Sequence, residues 1–121
     1  MALGKIKADT LEHSTAGSVA TNFVVNGSAK CFHLGASDGA TLLKSNNVSS
    51  MTDTATGQQT IAFVSNMDGS FFSICISPQG NTMDKPYIDA ESSSGYRGNM
   101  VEGSTFTDRA QSTMVQGELA G

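Results

Sequence analysis

"QQTIAFVSNMDGSFFSICISP", residues 58–78, decides the fold class. In its first half Ile61 and Phe63 alternate with Thr60, Ala62 and Val64, the period-2 pattern of a half-buried strand. "NMDGS" at 66–70 is turn chemistry, since Asn and Asp bond to their own backbone and Gly accepts a positive φ. "FFSICIS" then sets Phe72, Ile74 and Ile76 on one face and Phe71, Ser73, Cys75 and Ser77 on the other. Pro78 ends that strand.

The same alternation of short strands and turns extends both ways. Upstream, "NVSSMTDTATG" gives a strand at 47–52 and a turn through Asp53 to Gly57, and "ASDGATLLKS" a turn at Asp38-Gly39 and a strand through Leu42 and Leu43. In "TNFVVNGSAKCFHLG", Asn26-Gly27 between apolar runs predicts a hairpin pairing 21–25 with 28–34. The competing reading is one strand bulged at Gly27, with Phe23, Val25, Ala29 and Cys31 on one face. Downstream, "DKPYIDAES" is an edge strand, because Pro86 cannot donate to a ladder. "SSSGYRGNMVEGS" reads as a loop or bulged strand, and "TFTDRAQSTMVQGEL" closes the sheet with Phe106 and Met114-Val115.

The expected fold is all-β: a small β-sandwich or jelly-roll-like domain over residues 21–121, with an extended N-terminal arm over 1–20. Its core is expected from Phe23, Val25, Ile61, Phe63, Phe72, Ile74 and Ile76. The arm carries Leu3, Ile6, Leu11 and Val19 ahead of, or around, a Ser14–Ser18 run of small residues, too little to order twenty residues alone. Leu3, Ile6 and Leu11 are its candidate attachment anchors.

Composition fits this reading. Of 121 residues only 15% are charged and 38% hydrophobic, with 13 Gly and many Ser, Thr and Asn, which suit short strands and tight turns better than helices. The net charge of −4 provides no basic footprint for nucleic acid. No apolar run reaches the ~20 residues of a membrane span, so no membrane insertion is expected. No apolar h-region follows the Lys pair near the N-terminus, so folding in a cytoplasm is expected, with Cys31 and Cys75 as buried, inert, free thiols.

No catalytic, cofactor-binding or metal-binding set is evident. His13 and His33 lack ligand partners at zinc spacing and read as solvated or strand-surface residues. Neither a Gly-x-Ser-x-Gly elbow nor a phosphate or dinucleotide loop occurs, so the chain is expected not to be an enzyme. Tyr87, Tyr96 and Arg97 are residue types that interfaces favour and form the candidate interface. The six Met lean toward subunit contacts over plain core filling.

"VVNGSAKCF", then "NNVSSMTDTATGQQTIAFVSNM", then "FFSICIS" together resemble a module of tail fibres and other virion proteins of marine bacteriophages. A Ser/Thr-rich lead like "KADTLEHSTAGSV" precedes the module in that family, and the likeness covers roughly residues 5 to 77. Cys31-Phe32-His33 departs from it, since the family usually has a bulky aromatic soon after the Lys; the "LGASDGATLLKS" link also diverges, and nothing from residue 78 onward is recognised. The resemblance implies a structural protein of the virion, tail-fibre-type, contributing to host attachment. It implies a homotrimer contacting other virion proteins and, at the host, a cell-surface glycan. Alternatives are a capsid decoration or head-fibre protein, or a stand-alone carbohydrate-binding module.

Overall fold

The computed structural model describes residue 4 and residues 6–79 and 84–121, Asp84 by its backbone alone; Leu3 lies outside them. The sandwich expected from the sequence is present. Its first sheet has four antiparallel strands in the order β4-β3-β11-β7: β3 (Ala29–Gly35), β4 (Leu42–Asn46), β7 (Ser73–Pro78) and β11 (Gln111–Gln116). The second sheet contains β5 (Val48–Ala55), β6 (Gln58–Phe63), β8 (Asp84–Ser92), β9 (Gly95–Glu102) and the two-residue β10 (Thr105–Phe106). β6 and then β10 pair along one edge of β9 and β8 along the other, while β5 flanks β6.

Local chemistry explains the joints. Asn47, at φ 57, turns the chain from β4 in one sheet to β5 in the other, and its side chain clasps Ser65 through Oδ1 to the amide at 2.7 Å and Nδ2 to the carbonyl at 3.0 Å. Asn tolerates this left-handed conformation because its short amide bonds locally. Asp38 accepts the Thr41 hydroxyl and the amides of Thr41 and Ala40, and these bonds hold its carboxyl below the usual range. The β5–β6 hairpin turns at Thr56-Gly57, with Gly57 at φ 73 and its amide on Asp108 Oδ1 at 2.6 Å.

The strand phases read from 58–78 hold. Ile61 and Phe63 are buried; Ile74 and Ile76 are half-buried toward the core and Ser73, Cys75 and Ser77 are exposed. The tightly packed centre comprises Cys31, Ile61, Phe63, Met67, Tyr96 and Val115, with Val48, Met51, Phe72, Ile74 and Ile88 against it. β8 is an edge strand, as Pro86 requires.

Several expectations are corrected. Residues 21–25 do not pair with 28–34: Thr21–Gly27 is a seven-residue helix, α1, with Asn26-Gly27 at its C-terminal end. Phe23 and Val25 therefore leave the core and stand 69% and 60% exposed. Of the two readings of "SSSGYRGNMVEGS" the strand is the one found, β9, whose ladder with β8 is irregular between Asp89 and Ser92, whereas β11 lies centrally between β3 and β7 rather than closing a sheet. His33 is buried and Cys75 is exposed, the reverse of their expected settings. Of the methionines, Met67 and Met100 are core and Met114 is half exposed.

The arm has its own local fold. β1 (Thr10–His13) and β2 (Gly17–Ala20) pair antiparallel, so residues 10–20 form a hairpin and not one extended strand. His13 Nδ1 accepts the Ala16 amide at 3.1 Å across its turn, and Gly17 supplies the φ of 90 that the turn needs.

Candidate functional site

Between the sheets lies a buried polar cluster. The period-2 alternation of β3, β6, β9 and β11 aims His33, Gln59, Tyr96 and Thr113 inward, each almost wholly buried. His33 Nδ1 lies 2.5 Å from Thr113 Oγ1 and 3.1 Å from Tyr96 Oη, and Nε2 lies 3.3 Å from Gln59 Oε1; Tyr96 Oη also bonds Thr113. Burial lowers the His33 pKa, partly offset by Gln59, and raises that of Tyr96. It pushes the Cys31 thiol up to about 11. These groups satisfy one another's hydrogen bonds away from water, so the cluster contributes to the alignment of the two sheets. Sequence patterning missed it because an inward His on an alternating strand looks the same as an outward one.

The outer face of the second sheet carries a polar clamp. Arg97 donates from Nε and Nη2 to Asp89, both at 2.7 Å, and Asn99 Nδ2 donates to the same carboxylate at 2.9 Å. The Arg97 bonds, more than burial, set the direction of the Asp89 pKa, which is lowered. The register sets Tyr87 opposite Asn99 and Phe106 opposite Val101, and the Tyr87 and Phe106 rings stand 6.4 Å apart, each about 40% exposed. Of the three interface candidates, Tyr87 and Arg97 thus share one face of the β8–β9 pair, whereas Tyr96 points into the core beside His33.

The outer face of the first sheet is apolar. Phe32 opposes Met114 and Met114 opposes Cys75, while Leu34 opposes Ser112 and Lys44, so these side chains share one surface. They floor a shallow depression of about 520 Å³ in which Lys44 is the only charge among the described residues. Phe32 is 42% and Met114 49% exposed.

The N-terminal segment presents a second apolar surface. Ile6 and Leu11 are exposed, and so are Val19, Phe23, Val24 and Val25; α1 buries no residue. Ile6, Leu11, Val24 and Val25 line one open depression of about 560 Å³, so two of the three sequence-derived anchors share a site with the helix. The link to the sandwich includes Gln116 Nε2 on the Gly27 carbonyl at 2.8 Å. The sequence signal for this surface was present in "FVV", residues 23–25, three apolar residues without a polar alternation, but a hairpin reading assigned Phe23 and Val25 to the core.

Among the described residues no three His, Cys, Asp or Glu side chains gather in a way that could hold a metal ion. Comparison with protein families, curated proteins and solved structures returns no match.

Proposed function

We propose that this chain is a bacteriophage virion structural protein of the tail-fibre type, contributing to host attachment as a homotrimer in contact with other virion proteins. The observation that carries the reading is the pairing of a self-contained sandwich with an N-terminal segment whose large apolar residues, among those described, lie at the surface. Such a segment suits attachment to a neighbour, and the resemblance of "VVNGSAKCF…NVSSMTD…FFSICIS" to virion modules points to the same role. The test is microscopy of particles labelled at the C-terminus of this chain, beside a chain lacking residues 1–18. Label at the tail, lost on truncation while the sandwich still folds, supports the proposal; label over the head supports capsid decoration instead, and absence from particles overturns both.

A carbohydrate-binding module is the second reading, favoured by one feature. Tyr87 and Phe106 are exposed beside the fixed Asp89–Arg97–Asn99 clamp, and aromatic faces next to planar polar groups suit a sugar ring. A glycan array probed with the wild type and with Tyr87→Ala distinguishes it: signal lost in the variant supports sugar binding there, and an empty array removes it.

A further inference from the structure

We infer that the N-terminal hairpin and α1 of one copy dock on the outer face of the four-stranded sheet of a second copy, covering Phe32, Leu34 and Met114. Two unpartnered apolar surfaces on the same chain lead to this. The sheet face has a 520 Å³ apolar depression with nothing over it among the described residues, although the opposite face of the same sheet packs a tight core. The N-terminal segment has six large apolar side chains exposed between 40% and 94% and contributes none to that core.

Neither part of the segment is self-sufficient. A lone two-stranded hairpin is marginal in water, and so is an isolated helix below ~12 residues; α1 has seven. α1 also has no side-chain N-cap, and the ties at its C-terminal end are polar, with Lys30 Nζ and Ser28 Oγ both donating to the Val25 carbonyl. Polar bonds hold both ends of α1, Thr21 to the Ala8 and Asp9 carbonyls and the Val25 carbonyl to Lys30, but leave Phe23, Val24 and Val25 uncovered, and the depression on the first sheet supplies an apolar surface of matching chemistry.

Charge agrees with this pairing. Lys44 is the only charge among the described residues of the depression, whereas the segment from Ile6 to Gly27 bears Asp9 and Glu12 against Lys7. A second copy is favoured over the chain's own segment because Gly27 joins β3 through Ser28 alone and is held there by Gln116. That short tether leaves α1 beside the end of the sheet it would have to fold back across.

This inference deepens the assembly part of the proposed function but is read on purified chains, so it can fail while particle location still holds, and the converse. The exposed Cys75 on the sheet face provides the probe. Chains carrying Asn22→Cys and Cys75→Ser are mixed with wild type and oxidised with diamide; Asn22 is exposed next to Phe23. A disulfide-linked band of twice the chain mass, present in the mixture and absent from either chain alone, is the expected result. In a chain carrying Asn22→Cys with Cys75 intact, an internal disulfide without the mixed band would overturn the inference in favour of the chain's own segment. Lack of any cross-link together with sedimentation as a monomer overturns it as well. A second variant, Met114→Glu, keeps the test independent of cysteine geometry. Met114 is half exposed, so the sandwich should fold, and self-association should weaken by ~tenfold or more. Unchanged association would place the contact elsewhere.

Discussion

His33 Nδ1 and Tyr96 Oη, 63 residues apart in the chain, meet at 3.1 Å between the two sheets, with Thr113 Oγ1 bonded to both. One strand from the first sheet, one from the second and a third from near the C-terminus are joined by this contact. Polar interiors of this kind specify how two sheets align, because a shift of either would strand several groups without partners.

Acidification should destabilise the fold through His33. Its pKa is lowered in the folded state by burial, from an unfolded value near 6.5. Below pH ~6.5 the unfolded chain takes up a proton that the folded chain refuses, so stability falls as pH drops toward the folded pKa, by up to ~1.4 kcal/mol per pH unit. Urea midpoints between pH 7.5 and 5.5 should show this slope, and His33→Gln should flatten it. An unchanged slope in the variant would assign the effect to other groups.

Truncation should separate the real core from the expected one. Ile61→Ala, at a position 1% exposed, should cost ~2–5 kcal/mol. Phe23→Ala, at 69% exposure, should change unfolding by no more than ~0.5 kcal/mol when measured at dilution. Comparable losses at both sites would return Phe23 to the interior.

The thiols should differ sharply in reactivity. Cys75 is exposed, while Cys31 is buried with its pKa pushed up to about 11, which keeps it protonated. A chromogenic disulfide reagent should count one thiol in the native protein and two in denaturant without reductant. Two fast thiols in the native state would contradict the burial of Cys31, and none in denaturant would require a disulfide.

Glycine substitutions should act in opposite directions. A Cβ on Gly95 would collide with the backbone carbonyl of Ile61 in the β6–β9 ladder, which cannot move without breaking pairing. Gly95→Ala should therefore cost ~1–3 kcal/mol. Gly27 lies in α1 with open space around its Cβ position, so Gly27→Ala should be neutral or stabilise by up to ~1 kcal/mol. Thermal melts of the two variants check both signs.

By itself, the sequence determined the all-β class and the strand phases from Gln58 to Pro78. Period-2 alternation and turn residues are local properties, and nothing distant overrode them there. Proline placed β8 at an edge for the same local reason. Tertiary structure alone decided the direction of His33 and Tyr96, since which face of a strand is inner depends on the sheet it packs against and not on its own pattern. It also decided the fate of Asn26-Gly27. A hairpin needs a partner strand of the right register, and β3 instead takes β4 and β11 as its neighbours, leaving Thr21–Gly27 to close short-range helical bonds. That competition for β3 is what moved Phe23, Val24 and Val25 from the expected core to the surface.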